Sequence, residues 1–355
     1  MTYDFYCTIR ASANRKINAN FKKGGFVDYQ TVVHLSNEVC ASKKKMLRSS
    51  FFLIVVTLFV SCSGGGTKSS HKTPYLVVLG TAQDGGYPQA GCTKKCCEKV
   101  WSGKQNKKLV SCLALIDPAN HEKWMFDATP DFKEQLHLLQ GIDTTSILNG
   151  IFLTHGHIGH YTGLMNLGRE VMGAAGVNVY VMPRMLQFLT DNGPWSQLVN
   201  LQNISLLPIF DNGNIQLDQK ITVTPFLVPH RDEFTETVGY KIQGPNKTAI
   251  FIPDIDKWQK WDKSIVGLIK QVDYAFLDGT FFKNGELNRD MSEVPHPFIF
   301  ESMELFNSLS KAEKAKIYFI HFNHTNPLLI EGSEEKRQVK EAGFNVAEEM
   351  EKVEL

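Results

Sequence analysis

Three histidines, His155, His157 and His160, lie within six consecutive residues of this 355-residue chain. A mainly apolar stretch over residues 147–153 leads directly into them and predicts a buried strand. Histidines at positions i and i+2 of an extended loop point to one side, and a third that opens the following helix can face the same cavity. Three imidazoles this close are difficult to satisfy in an apolar core, so the cluster predicts a metal site at a strand end.

Three more side chains of the metal-binding type follow predicted strands later in the chain, namely His230, Asp254 and His321. A lone histidine at a strand end usually has a structural role, so the support for these residues comes from the cluster. Imidazole and carboxylate ligands suit Zn²⁺, Fe or Mn, and a hydrolytic site needs several ligands and an open position for water. The sequence therefore predicts one metal centre assembled from four separate loops.

Strands and helices alternate over residues 73–355, which we predict to form the folded domain. The predicted strands cover residues 75–79, 108–116, 123–127, 147–153, 177–181, 221–228, 238–242, 249–252, 274–277 and 317–320. The predicted helices cover residues 131–139, 161–171, 298–309 and 334–342. Polar clusters at the ends of strands then predict a layered α/β sandwich whose chemistry lies on its loops.

The N-terminal region is typical of an export signal. Residues 43–48 are basic, and residues 51–60 form an apolar run too short to span a bilayer. The run ends near Cys62 in a sequence that resembles a bacterial lipobox, whereas a buried strand would fit poorly beside the Gly/Ser/Lys-rich stretch that follows. The predicted organisation is an upstream extension over residues 1–45, a lipoprotein signal peptide over 46–62 with Cys62 as lipidation site, and a flexible tether over 63–72.

This interpretation predicts an exported domain, held by its lipid at a bacterial membrane and lying in the periplasm or at the cell surface. Residues 1–50 carry nine Lys and Arg against three Asp and Glu, whereas the remainder carries 29 against 34. A mildly acidic domain offers no favourable surface to a phosphate backbone. We therefore expect a small-molecule substrate and no nucleic-acid partner.

The histidine cluster resembles the HxHxDH motif of the metallo-β-lactamase-fold hydrolases, and the resemblance extends from about residue 74 to the C-terminus. It implies a four-layer αββα sandwich with its site at one edge of the paired sheets. The resemblance also implies how the ligands divide between two metals. The first metal is held by His155, His157 and His230, the second by His160 and His321, and Asp254 bridges them.

Four longer strings resemble the branch of this superfamily that contains protein B of pyrroloquinoline quinone (PQQ) biosynthesis. They cover residues 79–89, 228–240, 253–258 and 323–327. The resemblance implies a link to maturation of the quinone cofactor. Cofactor assembly is expected in the cytoplasm, whereas an exported enzyme lies on the other side of the membrane, so ancestry and present reaction can differ here.

Gly159 departs from the motif, because it stands where the family's carboxylate for the second metal is expected. Glycine has no side chain to offer as a ligand. The departure therefore predicts one tight Zn²⁺ site and a second site that is weak or absent. The alternative is a carboxylate supplied from elsewhere in the chain, such as Asp84.

The resemblance also implies catalytic roles. Asp254 is expected to orient the attacking water that the metal activates. His296 matches a histidine that assists catalysis in the phosphodiesterase branch of the fold and would serve as general acid, although an ordinary loop histidine between two prolines is the alternative. Asp127, and similarly Asp278, are expected to lie behind ligand histidines and steer them.

Cys92, Cys96 and Cys97 resemble a cysteine-rich loop that binds structural zinc in relatives of protein B, although the spacing in those relatives is tighter. With Cys112 they supply the four thiolates of a tetrahedral zinc site. Cys112 lies on a predicted strand, where a core role is also reasonable. In an exported protein a disulfide among these residues is an alternative to zinc.

Three functions are compatible with these features. The first is a metal-dependent enzyme similar to protein B, of hydrolase or oxygenase type, and the second is a phosphodiesterase of the same fold acting on a small diester or cyclic phosphate. The third is a non-catalytic metal-binding lipoprotein. Because the other ligand positions of the motif are retained beside Gly159, an enzyme is favoured over the non-catalytic alternative.

The predicted lipoprotein signal is tested by the intact mass of the protein purified from membranes of its native host. We expect a mature chain that begins at Cys62 and carries additional lipid mass, because cleavage precedes lipidation of the thiol. Substitution of Cys62→Ala should abolish the added mass and the membrane association together. Retention of residues 1–45 in the mature protein would contradict the prediction.

Overall fold

The computed structural model describes residues 73–142, 144, 148–287 and 289–355. The predicted upstream extension, signal peptide and tether, including the lipidation candidate Cys62, lie outside these residues. Within the described part of the chain, no helix combines the length and the apolar character needed to cross a bilayer.

Seven strands form the first sheet. They are β1 (Tyr75–Gly80), β2 (Cys112–Asp117), β3 (Glu122–Phe126), β4 (Leu148–Phe152), β5 (Val177–Val181), β6 (Ile204–Pro208) and β14 (Lys352–Glu354). Their order is β14-β1-β2-β3-β4-β5-β6. Neighbours are antiparallel from β14 to β3 and parallel from β3 to β6.

Seven further strands form the second sheet. They are β7 (Ile215–Gln216), β8 (Thr222–Leu227), β9 (Val238–Gln243), β10 (Thr248–Ile252), β11 (Tyr274–Asp278), β12 (Ile317–Ile320) and β13 (Asn345–Val346). Their order is β13-β12-β11-β10-β9-β8-β7. Neighbours are antiparallel from β7 to β10 and parallel from β10 to β13.

A continuous core fills the space between the two sheets, because strands of both contribute fully buried aromatic side chains to it. Phe152 of β4 stacks on Phe126 of β3 with ring centroids 5.2 Å apart, and Phe126 lies 5.4 Å from Tyr240 of β9. The Tyr240 hydroxyl donates to the carbonyl of Leu153 at 2.5 Å, which satisfies the buried phenol across the sheets. These contacts make the two sheets one packed sandwich.

Helices cover both outer faces. They are α1 (Lys95–Trp101), α2 (Phe132–Ile142), α3 (Ile158–Tyr161), α4 (Pro183–Asp191), α5 (Trp195–Asn200), α6 (Ile265–Lys270), α7 (Ile299–Leu305), α8 (Lys311–Lys314) and α9 (Glu334–Glu341). Apolar residues of α2 to α5 pack on the first sheet, and those of α1, α6, α7 and α9 pack on the second. The layers therefore follow the order helix, sheet, sheet, helix, and the predicted four-layer αββα sandwich is confirmed.

The strand directions fix where the loops meet. In the first sheet β1, β3 and β4 run the same way, and in the second sheet β8, β10, β11 and β12 do so. Every predicted metal ligand follows one of these strands. The carboxyl ends of like-directed strands lie at one edge of a sheet, so this topology brings the polar loops together there.

The predicted helix over residues 161–171 is wrong in type and length. The structure has the single turn of α3 and then a 3₁₀-helix, Thr162–Leu167. Gly163 donates its backbone N–H to the carbonyl of Ala128 at 2.8 Å, and a Cβ there would lie only 2.2 Å from the carbonyl oxygen of Thr129. This close approach to the loop after β3 winds the chain more tightly than a regular α-helix.

Several short elements were not predicted, among them α1, α4, α5, β6 and β13. They contain from two to nine residues. Segments this short carry too few apolar repeats for helical or strand periodicity to be recognised. The strands β6 and β13 are edge strands, and the three helices cover the outer faces of the sheets. None of the five supplies a histidine or aspartate ligand.

The inter-sheet core predicts a stability effect. Phe152→Ala should lower the free energy of unfolding by about 3–5 kcal/mol, because a fully buried ring that stacks on Tyr180 at 4.2 Å is replaced by a cavity. Phe210→Ala, at a side chain that is 60% exposed, is the matched control and should change stability by less than about 0.5 kcal/mol. Urea unfolding followed by circular dichroism measures both, and equal effects would contradict the packing described.

Candidate metal centre

The first group of converging ligands consists of His155 and His157 after β4, His230 after β8 and Asp254 after β10. One donor atom from each lies within 4.8 Å of the others. Asp254 Oδ2 is 3.3 Å from His155 Nε2 and 3.2 Å from His230 Nε2. The structure thus brings together two residues of the cluster and two of the distant residues predicted from sequence.

The second group consists of His160 in the single turn of α3, His321 after β12 and Asp84 in the loop after β1. Asp84 Oδ1 lies 3.3 Å from His160 Nε2 and 3.5 Å from His321 Nε2. Asp254 links the two groups, since its Oδ2 is also 3.9 Å from His160 Nε2. Asp84, considered from sequence only as an alternative, is therefore part of the site.

A single carboxylate holds one histidine from each group. Asp127 accepts a hydrogen bond at 2.7 Å from His160 Nδ1 and two from Thr154, through its backbone N–H and its hydroxyl. Since the Thr154 hydroxyl donates to Asp127, its oxygen accepts from His155 Nδ1 at 3.0 Å. Both ring protons are thereby placed on Nδ1, and the Nε2 lone pairs face the centre.

The other three histidines are oriented in the same manner. His230 Nδ1 lies 3.2 Å from Asp256 Oδ1, and His157 Nε2 lies 3.2 Å from Glu233 Oε2. Thr280 donates to Asp278 at 2.7 Å, so its oxygen can accept from His321 Nδ1 at 3.0 Å. Each of the five rings therefore has an acceptor on its outer nitrogen and directs the other nitrogen inward.

The inner atoms are polar and buried. Five buried atoms of the centre have no hydrogen-bond partner among the described residues. They are His160 Nε2, His230 Nε2, His321 Nε2, Asp84 Oδ1 and Asp254 Oδ1. Buried polar atoms normally have partners, and a group of orphaned atoms in one place indicates a ligand that satisfies them together. The set of imidazoles and carboxylates fits a divalent metal ion.

The buried carboxylates of the centre favour positive charge beside them. Burial acts to lower the pKa of His230, but the carboxylates of Asp254 and Asp256 outweigh it and raise that pKa to about 10. For His160, burial is likewise outweighed by Asp127 and Asp84, so its pKa is raised well above the usual range. The carboxylates thus favour positive charge at these two rings, and a metal cation would supply such charge when bound.

His296 lies at the border of the first group. Its Nδ1 is 2.8 Å from Asp278 Oδ2 and 3.2 Å from Asp254 Oδ1, and the ring is buried. Burial acts to lower the pKa of His296, but the charges of Asp278 and Asp254 raise it on balance. The structure therefore places His296 against a predicted metal ligand and not in an isolated loop, and it places Asp278 behind both His296 and His321.

The backbone is strained at two positions of the centre. Asp127 has φ 72° and His321 has φ 68°, both in the left-handed region that residues other than glycine seldom adopt. Such strain is kept when surrounding contacts enforce it, and it concentrates at functional sites. Here it lets Asp127 reach two histidines from the end of β3.

The predicted group of four cysteines does not form. The sulfur atoms of Cys92, Cys96 and Cys97 lie within 4.8 Å of one another, but Cys112 is buried in β2, where its Sγ contacts the carbonyl oxygens of Leu113 and Asp127. The strand position of Cys112 is decisive, because it faces the helices that cover the first sheet. Three thiols fit three positions of a tetrahedral zinc site.

The alternative of a disulfide is not formed either. All four cysteines in the described part of the chain are free thiols, and the sulfur atoms of Cys92 and Cys96 are 3.6 Å apart. Burial acts to raise the pKa of Cys92, but hydrogen bonds from the Lys94 backbone and from the neighbouring thiols lower it on balance. A lowered pKa favours the thiolate form that binds metal.

Four residues that orient ligands were not identified from the sequence: Thr154, Glu233, Asp256 and Thr280. Each lies within three residues of a predicted site residue. Short polar side chains beside a metal ligand are the available signal, since a ligand histidine needs an acceptor for its second nitrogen. Which of the neighbouring polar residues serves as acceptor depends on loop geometry, which the sequence alone does not give.

Comparisons with known proteins identify relatives of this chain. A family model described as the beta-lactamase superfamily domain matches residues 123–322. Coenzyme PQQ synthesis protein B from Methylorubrum extorquens (strain PA1) is 25% identical over 303 residues, which cover 77% of this chain and 97% of that protein. The protein of the same description from Gluconobacter oxydans (strain 621H) is 27% identical over 307 residues, covering 77% and 96%.

Two solved structures share the fold. The crystal structure of Zn²⁺-bound PqqB from Methylobacterium extorquens superposes with a TM-score of 0.65 and 24% identity, covering 79% of this chain and 100% of that one. The crystal structure of a diphosphatase from the PhnP family superposes with a TM-score of 0.56 and 23% identity, covering 79% and 97%. These similarities are evidence for the fold alone.

The hydrogen bonds of Asp127 predict its effect on metal affinity. Asp127→Asn should weaken metal binding by about 10–100-fold, because it removes the charge that orients His160 and His155. Competition with a chromophoric chelator measures the dissociation constant. Asp117→Asn is the matched control, since Asp117 is equally buried but hydrogen-bonds the backbone N–H of Ala119 in the turn after β2; equal losses of affinity in both variants would contradict a specific role.

Proposed function

Since this chain belongs to the β-lactamase superfamily, we propose that it is a metal-dependent hydrolase that activates water against a small-molecule substrate. One observation carries the proposal. Five histidines converge, each with its outer nitrogen held by an acceptor and its inner nitrogen directed at a common centre with two aspartates. Histidines oriented from behind in this way are characteristic of metal ligands.

His155, His157, His230 and Asp254 would hold the metal of the first group. Zn²⁺ suits these imidazole and carboxylate donors, with Fe or Mn as alternatives, and the Zn²⁺-bound state of the similar protein from Methylobacterium extorquens supports zinc. When bound, such a cation supplies the Lewis-acid chemistry that makes water nucleophilic near neutral pH and polarises the group under attack.

The residues around the centre position substrate and exclude bulk water. His155, His230 and Asp254 are buried, whereas the side chain of His157 is 13% exposed and Glu233 beside it is 50% exposed. Substrate therefore approaches from the side of His157. Asp254 contacts ligands of both groups and His296, so it is suited to accept a hydrogen bond from the attacking water and fix its direction.

A phosphodiesterase is the second candidate, and the position of His296 favours it. Its imidazole is held between Asp278 and Asp254, which stabilise the protonated ring. We propose that protonated His296 donates a proton to the leaving oxygen while water adds to phosphorus and releases a proton that restores the acid. A small diester then yields a monoester and an alcohol, and a cyclic phosphate yields one ring-opened monoester. The shared fold with a diphosphatase of the PhnP family is compatible with this substrate class.

A role similar to that of coenzyme PQQ synthesis protein B is the alternative within the same chemistry, supported by the similarity over 77% of the chain. We also propose that lipidation of Cys62 keeps the domain at a bacterial membrane. Substrate is then met outside the cytoplasm, and this location favours hydrolysis of a small external diester over cofactor assembly.

The proposed hydrolase is tested with a chromogenic bis-aryl phosphodiester and added Zn²⁺ or Mn²⁺. His157→Ala should lower turnover by more than the roughly 10–100-fold that loss of an outer partner costs, because a direct ligand is removed. His137→Ala is the matched control, since His137 is exposed on α2. Unchanged turnover in His157→Ala, or equal loss in both variants, would show that the measured activity does not come from this centre.

In the same assay His296→Asn separates the two candidates. If His296 donates the proton, turnover should fall by about 10²–10⁴-fold while the metal content of the protein stays constant. An unchanged rate would rule out the proposed proton donor. Tight metal binding without diester turnover in the parent protein would favour the PQQ-related alternative.

A further inference from the structure

The space beside Gly159 is filled by the side chain of Asp84. A Cβ atom built on Gly159 would lie 2.3 Å from Asp84 Oδ1, 2.6 Å from its Cα and 2.7 Å from its Cγ. Real Cβ atoms essentially never come so close to other heavy atoms. Position 159 is therefore restricted to glycine for as long as Asp84 keeps its place, and the two residues depend on each other.

Asp84 directs its carboxylate at the two histidines of the second group. Its Oδ1 lies 3.3 Å from His160 Nε2 and 3.5 Å from His321 Nε2, and both histidine side chains have no exposed surface. Within the described part of the chain none of these three atoms has a hydrogen-bond partner. Three buried ligand atoms that face one another without hydrogen bonds indicate that a bound cation would complete the group.

The loop that carries Asp84 is fixed to both sheets. Ala82 forms parallel bridges with Val110 and with Phe322, the residue after His321. Gln83 donates its backbone N–H to the carbonyl of Phe322 at 2.8 Å, and its side-chain oxygen accepts from Asn323 Nδ2 at 2.6 Å. These bonds hold Asp84 beside His321, so its position results from the fold and not from a chance surface contact.

We propose that Asp84 supplies the carboxylate missing at position 159, and that Asp84, His160, His321 and Asp254 form a second complete site for a divalent cation. The proposal rests on the proposed metal-dependent function for the first site. From the histidine motif alone, Gly159 predicted a weak or absent second site. The position of Asp84 leads to the opposite expectation. The carboxylate would then come from the loop after β1 and not from position 159, where glycine leaves room for it.

The proposal is tested by counting metal ions per chain in the full-length protein after dialysis against a mild chelator. Because Cys92, Cys96 and Cys97 also fit a zinc ion, the count is made with these three residues changed to Ser. In that background the otherwise wild-type protein should retain two equivalents of Zn²⁺ by elemental analysis. Asp84→Asn, which keeps the shape but removes the charge, should retain one. Asp191→Asn is the matched control, because Asp191 is exposed at the end of α4, and it should retain two.

An exchange of the two residues makes the test sharper. Gly159→Asp alone should lower the melting temperature and the metal content, because its Cβ collides with Asp84. The double variant Asp84→Gly/Gly159→Asp should recover part of both properties, since it removes the clash with the Asp84 carboxylate and returns a carboxylate to the same space. The Cα of residue 84 still lies close to the new Cβ, so recovery should be incomplete. If Gly159→Asp does not fold, Asp84→Asn still decides the question by metal content alone.

Two results in the cysteine-free background would overturn the proposal: one equivalent of metal in the otherwise wild-type protein, or two equivalents in Asp84→Asn. The outcome is independent of the hydrolase assay. Two metals that depend on Asp84, without any turnover, would refute the proposed activity and keep the second site. Turnover with one metal and no dependence on Asp84 would refute the second site and leave the proposed activity intact.

Discussion

The hydrogen bonds of one buried carboxylate determine the rest of the centre. Asp127 has no exposed surface, and it accepts hydrogen bonds from Thr154 and from His160 Nδ1. Through the Thr154 hydroxyl it also determines the tautomer of His155. One histidine of each ligand group thus depends on the same residue, so the groups are oriented together. The left-handed backbone conformation of Asp127 is energetically unfavourable, and the buried, charge-assisted hydrogen bonds of its carboxylate offset that strain.

The sandwich makes such a centre possible, because it holds polar loops at the edge of a large apolar interior. The inter-sheet core of Phe126, Phe152 and Tyr240 ends where the chain turns into the ligand loops, and the Tyr240 hydroxyl bonds the carbonyl just before the histidine cluster. Burying several imidazoles and carboxylates is unfavourable unless each has a partner. The acceptors behind the histidines are partners for the outer ring nitrogens. A bound cation would be the partner of the inner nitrogens and of the carboxylate oxygens that face the centre.

Much of this could be predicted from the sequence, but not all of it. The strands and the ligands at their ends carry local signals, such as the buried run before His155 and the polar residues that follow β8, β10 and β12. The orienting contacts are long-range, and Asp84 reaches Gly159 across 75 positions of sequence. Cys112 was grouped with the other cysteines by type, whereas its strand position directs it into a different core. Sequence spacing does not encode these distances, because they arise from how the sheets pack.

The ligands of each group come from both sheets, with His155 and His160 following a strand of the first and His230 and His321 following strands of the second. A bound cation would therefore act as a non-covalent cross-link between two halves of the chain, in addition to the apolar packing and to hydrogen bonds such as that of Tyr240 to Leu153. Local opening of the metal-free protein should begin at this edge, since the loops there lose their common partner while the interior stays packed. Acid has a similar effect, because protons compete for the same nitrogen lone pairs. The metal content of the protein and the rigidity of the entrance to its site are thus coupled physically.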